Sequence, residues 1–335
     1  MQNHGFLGRI SIFFVMIFLV TACGAQTNST TSMPTQVEAK VNLQCIDEFE
    51  SLERPQPTLP ATAMSTMGEP VSVTSIERVV SLAPGSAEIV WALGLGDVIA
   101  GKDLVSVYPG SDQTPTVNPG HEVAIEMVLS LDPTLVLADK SEENSDAVTK
   151  LTELGIPVVE IPEANTISEI SPRILAVANA LGVKGAGDEL VFETDAKFEQ
   201  ASTSQGIEKT IAFLYLRGNA GVYLIGGKGS GADSIINSLG ARDAGSLIGV
   251  EGFAPLTAES LAKANPDVLL VMNEGLESVG GIEKLFALPG ISSTSAGRNS
   301  AVIQADDRVL LSFGPQTPNV VTCLAEQLAS FNESA

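Results

Sequence analysis

The feature that most restricts the fold of this chain is an internal duplication. Glu126-Met-Val-Leu-Ser-Leu-Asp-Pro133 runs on into Thr-Leu-Val-Leu, and Glu259-Ser-Leu-Ala-Lys-Ala-Asn-Pro266 runs on into Asp-Val-Leu-Leu, with glutamate seven positions before proline in both. Leu93-Gly94-Leu-Gly-Asp97 and Leu239-Gly240-Ala-Arg-Asp243 form a second matched pair, each after a segment of helical period. Two copies of one supersecondary plan call for two similar lobes. Short β-branched runs alternate with helical-period segments in both halves, the pattern of α/β lobes. In the first half RVVSLA, DVIAGK, TLVLAD and VVEIP read as strands, and SAEIVWALG, VAIEMVLSL and AVTKLTELG as helices. In the second, TIAFLYLRG, GVYLIGG, DVLLVM and AVIQAD read as strands, and ADSIINSLG, AESLAKA and NVVTCLAEQLASF as helices.

Between the halves, ISPRILAVANALG and GAGDELVFETDAKFEQASTSQ are helical in pattern. About eighteen helical residues would reach about 27 Å from lobe to lobe, and one stiff connector predicts little closure. The expected organisation is a first α/β lobe over 72–170, connecting helices over 171–206 and a second α/β lobe over 207–335.

The amino terminus carries an address. Arg9 precedes the apolar run ISIFFVMIFLV, too short to span a bilayer in the mature protein, so 1–22 read as a signal peptide. Val20-Thr21-Ala22-Cys23 resembles a bacterial lipobox, which makes Cys23 the lipidated first residue of the mature chain. A diacylated cysteine supplies the two-chain anchoring that one acyl chain does not. The next stretch, GAQTNSTTSMPTQ, is small and polar, and a Pro- and Thr-rich stretch continues to about Val71, so 23–71 are expected to be a flexible tether. These features place the body outside the cytoplasm, anchored to the cell membrane by lipid.

Eighteen basic against forty acidic residues give a formal charge of −22, which repels nucleic acid and anionic lipid. With Cys23 lipidated, Cys45 and Cys323 remain; an oxidising compartment lets them pair, and the alternative is two separate thiols. Their spacing offers no C-x-x-C metal motif.

RVVSLAPGSAEIVWALGLGD, EMVLSLDPTLVLAD, FLYLRGNAGVYLIGGKGSGADSIINSLG, LLVMNEGLESVGGIEKLFALPGI and LLSFGPQTP together resemble the haem-binding subgroup of the cobalamin, siderophore and haem substrate-binding proteins that serve ABC importers. The resemblance covers nearly everything from about residue 75 to 325. It implies a class III substrate-binding fold, two Rossmann-like lobes joined by one long helix, with ligand in the cleft between them. It also implies two partners: haem as transported ligand, and a permease dimer with its ATPase subunits.

Once the signal peptide takes His4 away, His121 is the only histidine of the mature chain. It follows Pro119-Gly120 just before a helix, whose positive end favours the neutral imidazole that binds iron. The resemblance implies an axial ligand here. Tyr215 and Arg217, two apart on a strand, share a face at its carboxyl end, where α/β sheets bind ligands. A cation beside a phenol favours phenolate, a hard ligand for ferric iron, and the family's Y-x-R supplies an axial tyrosine with its supporting arginine. Met272 matches a methionine near the haem in similar proteins, with core packing as its alternative. Tyr108 stands where other members carry their tyrosine ligand and is read as a supporting or substitute group. Lys228 and Gly229 lie in a glycine turn that lacks the P-loop pattern, and are expected either to approach a propionate or to form a plain turn. The resemblance assigns Glu126 and Glu259 to docking on permease arginines.

The function expected is capture and delivery of haem without catalysis and without a catalytic cofactor. A cobalamin or ferric-siderophore receptor of the same importer class is the alternative. No G-x-S-x-G elbow and no clustered histidine and carboxylate support an enzyme.

Overall fold

The computed structural model describes residues 49–64, 70–118, 123–201 and 208–331. It opens with a two-stranded hairpin, β1 (Ala61–Met64) against β2 (Pro70–Val73), antiparallel. The first lobe is a four-stranded sheet of β3 (Val79–Ser81), β4 (Ile99–Gly101), β5 (Leu135–Ala138) and β6 (Val158–Glu160), ordered β4-β3-β5-β6 and parallel throughout. Every residue of β3, β5 and β6 is buried, as a parallel sheet covered on both faces requires.

The second lobe contains β7 (Thr210–Arg217), β8 (Val222–Gly226), β9 (Arg242–Asp243), β10 (Phe253–Pro255), β11 (Val268–Met272) and β12 (Val302–Ala305). Its main path is β10-β8-β7-β11-β12, with β9 pairing β7; β7, β11 and β12 are parallel, while β8 and β10 add an antiparallel edge. The sheet separates two cores. Ile211, Phe213 and Tyr215 of β7 pack with Val268, Leu270 and Met272 of β11 on one face, and Ala212, Leu214 and Leu216 with Leu269 and Val271 on the other. The period-two alternation thus assigns each β7 residue to a face.

Two helices lie between the sheets, Ile170–Ala180 and Lys184–Ala201, and the second has the eighteen residues expected of a connector. Gly182, at φ 71°, turns the chain between them. They pack antiparallel: Ser171 Oγ donates to Asp195 Oδ1 at 3.0 Å, and Gly187 lies so close to Ala178 that an added Cβ would sit 2.4 Å from its methyl. The fold is that of two Rossmann-like lobes joined by a long helix.

The duplication extends to backbone conformation. Asp132 and Asn265, each the residue before the matched proline, are both left-handed, at φ 49° and 37°. Gly94 and Gly240 are likewise left-handed, at φ 77° and 72°.

One expectation is corrected. The stretch from 49 onward, assigned to the tether, is packed onto the first lobe. Phe49 is buried with its ring 4.9 Å from that of Trp91, the Leu52 N–H donates to the Ala92 carbonyl at 2.8 Å, and the Thr58 N–H to the Gly182 carbonyl at 2.9 Å. Among the described residues the first strand starts at Ala61, ten residues before the expected start at about Val71. In β1 the buried positions are Ala61 and Ala63, too small to stand out as a hydrophobic alternation. Among the described residues no helix is long and apolar enough to cross a membrane.

Candidate functional site

At the carboxyl end of β7 the chain leaves two side chains on one face. Tyr215 is partly buried, its ring meeting Phe253 of β10 edge-on at 5.8 Å and 64°. The Arg217 guanidinium carbon lies 4.6 Å from the centre of the Tyr215 ring. Arg217 Nη1 donates to the Leu216 carbonyl at 3.0 Å and to Asp307 Oδ1 at 3.2 Å, and the Asp307 side chain is only 9 % exposed. The last β7–β11 pair is Leu214 with Val271; the next residue of each strand, Tyr215 and Met272, points to the other sheet face, where both belong to one core cluster. Met272 is buried at the end of β11, so it lines this corner from within.

On the first lobe, Lys102 accepts from the Val117 N–H at 3.0 Å through its carbonyl, and the Ala124 N–H donates to the Val117 carbonyl at 3.0 Å. These bonds brace the base of the segment that includes His121, which itself lies outside the described residues. Asn118 Oδ1, at the start of that segment, is buried and has no partner among the described residues.

Tyr108 is taken up by the core. It is 5 % exposed, stacks on Trp91 at 6.2 Å and donates to Thr114 Oγ1 at 3.0 Å; burial, first among the causes, pushes its phenol upward. A phenolate is disfavoured there.

The glycine turn is already closed by an anion of its own. The Gly229 and Gly231 N–H groups donate to the two oxygens of Asp233, at 2.9 and 3.1 Å. These bonds are those of a plain turn, the other reading of Gly229, while Lys228 remains exposed. Asp233 stands two positions after the last of the glycines and is the signal that reasoning from glycine alone overlooked.

Glu126 and Glu259 occupy the first turns of the helices Ile125–Ser130 and Ala258–Ala264, and both are exposed. Cys323 is disulfide-bonded. Cys23 and Cys45 lie outside the described residues, as do the signal peptide and lipobox.

A buried polar cluster escaped the sequence reading. Glu88, in the helix Ser86–Val90, has no solvent exposure; it accepts from the Gln316 N–H at 3.1 Å, and desolvation pushes its carboxyl up to about 7. Arg173, also buried, donates through Nη1 to the Ser312 carbonyl at 3.1 Å and through Nη2 to the Pro84 carbonyl. Asp103 accepts from the N–H groups of Gly85, Val105 and Ser106 and from the hydroxyls of Ser81 and Ser106. The cluster ties Ser312 and Gln316, beyond β12 of the second lobe, to residues of the first. A glutamate within a short helix gives no sign in sequence that it will be enclosed. Among the described residues no three His, Cys, Asp or Glu side chains group as a metal site.

A family model described as periplasmic binding protein matches residues 79–309. The chain is 30 % identical over 258 residues to the ABC transporter substrate-binding lipoprotein YvrC of Bacillus subtilis, covering 75 % of this chain and 80 % of that one. A vitamin B12-binding protein of Vibrio campbellii is 24 % identical over 208 residues, 61 % of this chain and 74 % of that one. Among solved structures, the haem-binding protein HmuT superposes with a TM-score of 0.78 at 32 % identity, covering 84 % of this chain and 95 % of that one. The periplasmic haem-binding protein RhuT of Roseiflexus sp. RS-1 gives 0.72 at 33 %, covering 76 % and 98 %. HmuT has also been crystallised with alanine replacing a histidine, a tyrosine, and an arginine two positions beyond that tyrosine.

Proposed function

This chain belongs to the periplasmic binding protein family, and from that membership we propose that it is an extracytoplasmic receptor that captures haem between its lobes and delivers it to an ABC permease. The observation that carries the reading is the Tyr215–Arg217 pair: a half-buried phenol at the carboxyl end of a parallel strand, with a guanidinium against its ring. A tyrosine oxygen is a hard donor suited to ferric iron, and the guanidinium 4.6 Å from the ring centre holds the phenol at the strand end. The Tyr-x-Arg spacing is also that of the tyrosine and arginine replaced in the HmuT variants.

In this reading Tyr215 is one axial ligand and His121 the other, from the opposite lobe. Met272, beside Tyr215, provides a thioether at the same corner, whereas Tyr108 has its phenol committed to Thr114 and stays in the core. Lys228 supplies an exposed cation for a propionate. Glu126 and Glu259 present one carboxylate per lobe to permease arginines. Cys23 carries the lipid, which leaves Cys45 to pair with Cys323. The lipid and the shortened spacer hold the receptor near its permease and raise its effective concentration there. Nothing in this cycle requires a catalytic step.

The test is a haem titration followed by absorbance. A Soret band that develops with the unsubstituted protein and is lost in His121→Ala, Tyr215→Ala supports the reading. No spectral change with haem, together with saturable binding of cobalamin, would replace it with the cobalamin reading that the Vibrio campbellii relative suggests.

A further inference from the structure

Two aspartates follow β12, and the structure gives them different work. Asp306 is occupied by Arg308, which donates to it through both Nε, at 3.0 Å, and Nη2, at 2.9 Å. Asp307 turns the other way and accepts two hydrogen bonds from other elements. Its Oδ1 takes Arg217 Nη1 from the end of β7 at 3.2 Å, and its Oδ2 takes the Glu274 N–H at 2.7 Å, in the first turn of the helix Asn273–Ser278 that follows β11. One carboxylate thereby links the carboxyl ends of β7, β11 and β12.

Arg217 needs such a link. Its side chain is 35 % exposed, and an arginine free to explore its rotamers loses side-chain entropy when it is held in one place. Its other anchor, the neighbouring Leu216 carbonyl at 3.0 Å, meets the same nitrogen, Nη1, and one bond alone leaves the guanidinium free to swing about it. Gly275 runs beside that nitrogen too, since a Cβ there would lie 3.5 Å from Arg217 Nη1.

We propose that Asp307 is a positioning residue for the ligand tyrosine: it holds the Arg217 guanidinium against the Tyr215 ring and so acts on ligand affinity through Arg217. The proposal rests on the haem reading of the site. Asp307 touches neither Tyr215 nor the iron in this role; it sets where the guanidinium sits against the tyrosine ring.

The selective variant is Asp307→Asn. Its amide oxygen can keep the shorter bond from the Glu274 N–H, which leaves an NH₂ group facing Arg217 and turns an acceptor into a donor against a donor. Haem titrations of the unsubstituted protein, D307N, R217A and the double variant form a cycle, with the visible phenolate-to-iron charge-transfer band recorded for each and thermal unfolding as a check on the fold. The expected result is a loss of affinity of about tenfold in either single variant, a double variant no weaker than R217A alone, and a displaced charge-transfer band in D307N. Unchanged affinity and band in D307N, or a double variant about a hundredfold weaker than the unsubstituted protein, would overturn the proposal while leaving the haem reading intact. Absence of any Soret change in the unsubstituted protein would remove both. If D307N does not fold, Asp307→Ser gives the same comparison with a shorter side chain that no longer reaches Arg217.

Discussion

Arg217 lies over the ring of Tyr215, with the guanidinium carbon 4.6 Å from the ring centre. The contact is a consequence of strand geometry, because residues two apart point to one face, and of a strand end, because beyond Arg217 the chain turns away and leaves both side chains only partly covered. Phe253 closes the far side of the phenol without sealing it, being itself 43 % exposed.

Replacing Tyr215 by Phe keeps the ring against Phe253 and Arg217 and removes only the oxygen. We expect haem affinity to fall at least tenfold, about 1.4 kcal/mol, with the melting temperature within a degree or two of the unsubstituted protein. Titration and calorimetry on the same preparation read both. An unchanged affinity would remove Tyr215 from the ligand set.

The buried carboxyl of Glu88 makes stability depend on pH in a defined direction. Desolvation raises it from 4.5 to about 7, so between those values the native state holds a proton that the unfolded chain has released. Stability is therefore greatest below about pH 4.5 as far as this group is concerned, and falls as pH rises towards 7. The loss is of the order of 3 kcal/mol at about 1.4 kcal/mol per unit. In Glu88→Gln that slope should vanish; denaturant midpoints at pH 5 and pH 7.5 for the two proteins provide the comparison.

The segment from Phe49 to Thr58 is seated on two left-handed glycines. A Cβ on Gly94 would lie 2.6 Å from the Leu52 carbonyl oxygen, and one on Gly182 would lie 2.5 Å from that of Thr58. Alanine at either position adds about 1–2 kcal/mol of backbone strain to a collision with main chain that has no slack. Gly182→Ala should release the Thr58 contact and raise the rate of proteolysis within 49–60 severalfold before it alters the lobes. Cleavage at the unsubstituted rate would show that this segment is held elsewhere.

Glu126 and Glu259 are exposed first-turn residues with no part in the core. Changing both to lysine should leave haem titration and unfolding unaltered, since surface substitutions commonly fall within about 0.5 kcal/mol. Stimulation of the permease ATPase by the loaded receptor should drop at least tenfold. Full stimulation by the doubly reversed protein would place docking on another surface.

The sequence by itself determined the plan of the molecule. The duplicated Glu-x₆-Pro and Leu-Gly-x-x-Asp elements, and the alternation of strand and helix around them, are local patterns set by backbone periodicity, and the left-handed Asp132 and Asn265 show that the two copies share a backbone course as well as residues. The Tyr-x-Arg pair was legible for the same reason, since side chains two apart on a strand share a face. What only the tertiary structure decided were relationships between segments distant in sequence: Asp307 on Arg217 across 90 positions, Gln316 on Glu88 across 228, and residues 49–58 on Gly94 and Gly182. No local pattern encodes which of two adjacent aspartates faces an arginine, or which helical glutamate is enclosed. Those outcomes follow from where the ends of parallel strands converge and from which polar groups packing shuts away from water, where each buried atom must find a partner or change its charge.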